Sequence, residues 1–397
     1  MRRTYTQNII RRRWHSLSSS NRSRCIQSCN RCTIQSSYYY YHQSRSITLS
    51  FSTTANPSSS ENTTNNDSNN CKHVAKVRSA LSSGPVPYEV GWAYQHVLLH
   101  RRLNYMRMMQ KQQKQEDTAT NANNNEHSAA DHEDTILLFE HEPVYTLGRG
   151  ASEEHLTFLN KESDGGIEKR RRLNRKYRGD DASRLNIDTS STSFDLQRQE
   201  EEMSVEEEVN HLLQTSLLNN NKTTSQQPVL APNNIPIYRI ERGGEVTYHG
   251  PGQLVMYPLL NLKQSNYKQD LHWYLRQIEQ VIIDTLSHYN IKSNRDSINT
   301  GVWVNHNKIA AVGVSSSRWI TTHGLAINVS PNLNHFDKEI MIPCGIDGRG
   351  VTSMKELIDE RGDNICCPSV EEVGEVALSC FENVFNVELD RDANLIR

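Results

Sequence analysis

Apolar residues in this chain fall into short runs separated by long polar tracts. TILLFE (135–140), PVYTL (143–147), QLVMYPL (253–259) and GLAINV (324–329) are bounded by Pro, Gly or charged residues and predict strands. GVWV (301–304) and KIAAVGV (308–314) flank Asn305, His306 and Asn307, a spacing that suits a hairpin. Leu271, Tyr274, Leu275, Ile278, Val281, Ile282, Thr285 and Leu286 recur at helical spacing and predict an amphipathic helix. Trp92, Leu99, Leu103 and Met106 predict another. A last helix spans Val373–Phe385, with Val376, Ala377, Cys380, Phe381 and Val384 expected inward. Hairpin strands with helices grouped between them indicate an α+β fold, a mixed sheet flanked by helices.

The polar tracts limit how much of the chain packs. Hydrophobic residues make up 35% of 397, with 19 Gly, below the usual share of a globular chain. Residues 110–134 are rich in Gln and Asn. Residues 160–233 hold the basic run KRRRLNRKYR (169–178), an acidic run from Glu200 to Glu208, and Asn219, Asn220 and Asn221. Such segments bury too little apolar surface to offset chain entropy, so both are expected to be disordered inserts. The expected layout is a presequence over 1–60, a disordered linker over 61–80, and a packed domain over 81–397 interrupted by those inserts. No stretch approaches the roughly 20 apolar residues that span a bilayer.

Charge is distributed unevenly. The formal net charge is −2, yet residues 1–60 contain nine Arg, no Lys and no acid before Glu61. An Arg- and Ser-rich, acid-free start is the signature of an organelle transit peptide, and a mitochondrial location is expected. Without that segment the chain is acidic, which argues against a nucleic-acid partner. Eight cysteines are too few for a disulfide scaffold, and Cys25, Cys29 and Cys32 lack a second ligand pair, so no metal site is expected.

RGGEVTYHGPGQ, Arg242 to Gln253, is the densest unusual segment. Its four glycines serve either a tight loop or the close approach of a ligand to the backbone. Arg242 could hold an anionic group, and Tyr248 and His249 offer a hydroxyl and an imidazole. The segment lacks phosphate-loop spacing. Cys344, between Pro343 and Gly345, is either a small buried hydrophobe or a sulfur presented on a turn. A thiolate needs a nearby cation, and Lys308, followed by apolar Ile309, Ala310 and Ala311, is the candidate; a strand-end lysine is otherwise solvated.

Taken in order, EHEPVYTLGRG, RGGEVTYHGPGQLVMYPLLNL, GVWV…KIAAVGV, THGLAINV and IMIPCGI closely resemble the octanoyltransferases of lipoate synthesis. The resemblance implies a fold like the catalytic domains of lipoate and biotin protein ligases. It implies transfer of an octanoyl group from octanoyl-acyl carrier protein to a lysine of lipoyl domains of 2-oxoacid dehydrogenase subunits or of glycine-cleavage H protein. Cys344 would be the acyl-thioester nucleophile and Lys308 its proton partner. Arg242, Gly243, Gly244, Glu245, Val246, Thr247, Tyr248 and His249 match the substrate-binding loop. Ala311, Val312 and Gly313 match a second binding segment, and Gly324, Leu325 and Ala326 a third. No cofactor, nucleotide or metal is implied, because a thioester is already activated. Two other readings stand beside this one: an ATP-dependent lipoate or biotin ligase, which needs a lysine but no nucleophilic cysteine, and a silent binder of lipoyl domains.

Overall fold

The computed structural model describes residues 73–116, 133–152, 155–158, 169, 203–220, 229–337, 340, 349–362, 365–391 and 396. The expected presequence and the basic run beyond Lys169 lie outside them, as do Pro343, Cys344 and Gly345.

Strands β1 (His73–Ser79) and β2 (Asp134–Phe139) run parallel, and β2 pairs antiparallel with β7 (Gln253–Leu259). From β7 the sheet continues antiparallel through β11 (Ile320–Asn328), β10 (Asn307–Ser317), β9 (Val302–Val304) and β8 (Asn294–Arg295). β13 (Val387–Asp390) adds parallel to β1, and β12 (Gly350–Val351) adds parallel to β10, making nine strands. A second sheet orders β4 (Val229–Leu230), β5 (Pro236–Arg239), β3 (Val144–Leu147) and β6 (Val246–His249).

The large sheet is buried on both faces, which is why β2 and β7 read as unbroken apolar runs instead of alternating ones. Ile136, Leu138, Leu254 and Met256 face one side, where α3 (Leu271–His288) and α5 (Val370–Phe385) pack through Ile278, Val281, Ile282, Ala377 and Phe381. Leu137, Phe139, Val255 and Tyr257 face the other, under α1 (Tyr88–Glu116) and α2 (Val205–Asn220). The helix ends are set locally. Asp270 accepts from the amides of His272 and Trp273 at the start of α3, and Ser369 and Glu372 form a reciprocal cap on α5. A short helix, α4 (Met354–Arg361), seats Met354 and Ile358 in the α3/α5 core.

Four expectations need correction. The stretch 61–80 is not linker throughout, because β1 occupies His73–Ser79 as an interior strand between β13 and β2. The stretch 160–233 contains α2 and β4. Glu206, Glu207 and Glu208 sit in the first turn of α2, where the helix dipole favours them, and Val205, Val209 and Leu212 bury on one face. Arg78 pairs with Glu206 at 2.7 Å and Arg101 with Glu208 at 2.6 Å, so two carboxylates of the acidic run have cationic partners in the fold. On α1 the buried face is Ala93, Tyr94, Val97 and Leu98, with Trp92, Leu99, Leu103 and Met106 only partly covered. On α5 the buried face centres on Val373, Ala377, Leu378, Phe381 and Phe385, leaving Val376, Cys380 and Val384 on its flank.

Among the described residues no helix is long and apolar enough to cross a membrane.

Candidate active site

Between the two sheets lies a cavity of about 300 Å³. The three expected binding segments meet there. Antiparallel pairing sets Ala311 opposite Ala326, Val312 opposite Leu325, and Gly313 opposite Gly324, and all six line the cavity. β6 and the turn before it contribute Arg242, Gly244, Glu245, Val246, Thr247 and His249. Lys308 stands on the same wall, 8% exposed.

Lys308 is held from two sides. Its amine donates to the carbonyl of Thr300 at 3.1 Å and lies 4.7 Å over the ring of Trp303, its cross-strand partner. The 296–301 turn is itself fixed: Asp296 Oδ1 accepts from the amides of Ile298 and Asn299, and Oδ2 accepts from Arg349 at 2.5 Å. That pairing, led by the Arg349 hydrogen bond, holds the Asp296 carboxyl far below the usual carboxylate range. Gly301 closes the turn at φ +117°, where a Cβ would lie 2.7 Å from the Ala310 carbonyl. Downstream of Cys344, β12 runs beside Lys308: Val351 is its register partner, and the Thr352 amide donates to the Lys308 carbonyl.

Two expected site residues do not line the cavity. Strand alternation turns Tyr248 away from His249 and into the second sheet's core, where it is 1% exposed against Tyr145, His335 and Phe336. Gly243 acts as a strut, its amide donating to the Val314 carbonyl at 2.9 Å. Arg242 lines the cavity, but its guanidinium bonds the Thr146 carbonyl and hydroxyl, each at 2.9 Å, and the Gly243 carbonyl. It clasps β3 to the turn before β6. Gly313 leaves room for it, since a Cβ there would meet Arg242 Cδ at 3.0 Å. The segment 242–253 is thus not one loop but a turn, a strand and a second turn.

Neutral imidazoles border the cavity. Gln253 Nε2 donates to the Tyr248 carbonyl and Asn328 Oδ1, so its oxygen accepts from His249 Nδ1 at 2.7 Å. Burial pushes His249 down to about 3, which keeps it neutral. His141 Nδ1 faces the Val86 carbonyl, leaving Nε2 to accept the Tyr257 hydroxyl at 2.9 Å; burial pushes His141 down to about 4.

Sequence reasoning did not find a second polar group, centred on Glu241. Its carboxylate Oε1 takes His96 Nε2 and His323 Nε2, each at 3.0 Å, while Oε2 accepts from Trp92 Nε1. Burial opposes ionisation of Glu241, yet His323 and His96 outweigh it and hold the carboxyl well below the usual range. His323 lines the cavity in a left-handed backbone conformation, φ 59°, fixed by its amide bond to Gln95 Oε1. Trp92 and His96 stand one turn apart on α1, but Glu241 and His323 come from separate segments with no spacing that links them to that helix. The only local signal was the charged residue preceding Arg242.

Residues 219–382 match the lipoyl protein ligase A/B catalytic domain. The solved structure of lipoate-protein ligase A bound with ATP superposes with a TM-score of 0.44 at 11% identity, over 82% of this chain and 90% of that one. An octanoyltransferase from Gloeobacter violaceus is 32% identical over 315 residues, covering 79% of this chain and 92% of the relative. One from Nostoc sp. is 33% identical over 308 residues, covering 78% and 92%. A chloroplastic octanoyltransferase of Arabidopsis thaliana is 55% identical over 125 residues, covering 31% and 43%. The chain belongs to the octanoyltransferase family, the acyltransferases of lipoate biosynthesis.

Proposed function

We propose that the octanoyl donor is octanoyl-acyl carrier protein and that the acyl group pauses as a thioester on Cys344 before passing to a protein lysine. The acceptors in this reading are lipoyl domains of 2-oxoacid dehydrogenase subunits and glycine-cleavage H protein. The observation that carries it is the meeting of the three expected binding segments with Lys308 around one cavity. The return of β12 alongside Lys308, seven residues after Cys344, supports the pairing of amine and thiol.

Cys344 thiolate attacks the donor thioester, the carrier's pantetheine thiolate leaves, and the new thioester is about equal in energy to the old. The acceptor lysine then attacks as a neutral amine, an amide forms, and Cys344 leaves as thiolate. Lys308 relays the proton that the acceptor amine gives up. The small residues Ala311 and Ala326 leave space for an acyl chain, whose burial contributes roughly 0.8 kcal/mol per methylene.

Steady-state kinetics test the scheme. A covalent intermediate requires parallel double-reciprocal lines when carrier and acceptor are varied; intersecting lines would replace it with direct transfer. Product formation that required ATP and free octanoate would instead restore the ligase reading. Mitochondrial import belongs to the same proposal and rests on the acid-free segment 1–60. A reporter fused to residues 1–60 that stays in the cytosol would count against it.

A further inference from the structure

The polar side chains around the cavity are largely committed within the protein. His249 bonds Gln253, Tyr257 bonds His141, His323 bonds Glu241, and Lys308 bonds the Thr300 carbonyl. Tyr88 differs. It lines the same cavity at 4% exposure, and its buried hydroxyl has no hydrogen-bond partner among the described residues. Buried hydroxyls in folded proteins are nearly always bonded, so one left over at a cavity wall points to a partner from outside the described residues.

The ring cannot turn to find such a partner elsewhere. Tyr88 is the first residue of α1 and stacks on Tyr238 at 6.0 Å and on His249 at 6.1 Å, with His141 at 5.3 Å across its edge. Burial keeps the phenol protonated, so it acts as a donor. Its ionisation is coupled to Tyr257 and Arg242, both on the cavity wall, and to the Glu241 carboxylate. A protonated phenol is a donor, and a neutral carbonyl oxygen is an acceptor that would satisfy it.

We propose that the Tyr88 hydroxyl binds the substrate, donating to a carbonyl oxygen of the octanoyl thioester donor. That oxygen belongs either to the thioester itself or to an amide of the pantetheine arm, which share the chemistry of a neutral carbonyl acceptor. The inference rests on this cavity being the acyl site of the family's octanoyl transfer.

Tyr88→Phe in the full chain removes the hydroxyl and keeps the stacked ring. Two donors separate the sources: octanoyl carrier protein, and S-octanoyl mercaptoethanol, which carries no amide. The expected result is a fall of about tenfold or more in kcat/KM at an unchanged thermal midpoint. Loss with both donors assigns the thioester carbonyl, and loss with the carrier alone assigns the pantetheine amide. Activity within twofold of wild type on both donors overturns the proposal. So does a thermal midpoint that falls in step with activity, as packing damage would produce; Tyr88→Leu supplies that reference. Wild-type protein that transfers from neither donor defeats the acyl-site reading itself, an outcome distinct from a silent variant.

Discussion

Lys308 owes its place to three neighbours that a linear motif does not display: the Thr300 carbonyl, the Trp303 ring and the Gly301 turn. Lys308→Ala is expected to slow octanoyl transfer by at least two orders of magnitude while leaving thermal stability close to wild type, measured by steady-state assay and calorimetry. Gly324 illustrates the opposite kind of residue. A Cβ there would lie 2.4 Å from the Met256 carbonyl and 2.6 Å from Pro258 Cδ, backbone and ring that cannot move aside cheaply. Gly324→Ala should lose about 1–3 kcal/mol in urea denaturation, whatever its effect on binding. Glu241 gives a pH-dependent case. Its carboxyl is depressed in the folded state, so its stabilising contribution is complete above the ordinary carboxylate range and is lost as pH falls through its lowered value. Glu241→Gln should therefore be destabilising at neutral pH, and the gap to wild type should narrow as the medium is acidified. At this scale the sequence singled out Lys308 and the glycines because each sits in a compact motif, and the fold places Lys308, Gly244, Gly313 and Gly324 around one cavity. The sequence concealed Glu241, His96 and His323, which only the fold brings together.

Elements whose apolar period was strong were legible. QLVMYPL forms β7 with the expected bounds, and the Leu271 stripe forms α3. PVYTL and TILLFE are both strands, but nothing in either run says that they belong to different sheets. α2 was hidden because its acidic first turn reads as self-repulsion until Arg78 and Arg101 are placed beside it. β1 was hidden because HVAKVRS carries three basic side chains at positions that, in the fold, lie at its ends or find acidic partners. One of those contacts belongs to a wider lock. Asp134, fully buried at the start of β2, bonds His73 of β1, Arg102 of α1 and the Asn261 amide. Arg102 also donates to the Leu259 carbonyl at the end of β7. Asp134→Ala would leave a buried guanidinium without its carboxylate, and the expected loss is about 3–5 kcal/mol in chemical denaturation.

At the scale of the whole molecule, buried neutral histidines set the acid limit. His141 and His249 are pushed down to about 4 and about 3 by burial, against about 6.5 in the unfolded chain. Both contribute stability that is complete above pH ~6.5 and declines as pH falls toward their folded values, about 3 kcal/mol for His141 alone. Denaturation midpoints should therefore drop steadily between pH 6.5 and 4, and His141→Gln should flatten that slope. The same layout explains why the fold and the family were legible in the same segments. Residues 242–249, 311–313 and 324–326 carry much of the resemblance, and among the described residues most of them also line the cavity. The central claim concerns that cavity and the thiol that would work beside it. Intact mass spectrometry of the protein mixed with octanoyl carrier protein, without acceptor, tests it most directly. The account predicts one added octanoyl group, located at Cys344, absent from Cys344→Ser and discharged when a lipoyl domain is supplied. An unchanged mass from protein that still turns over normally, or full turnover by Cys344→Ser, would contradict it.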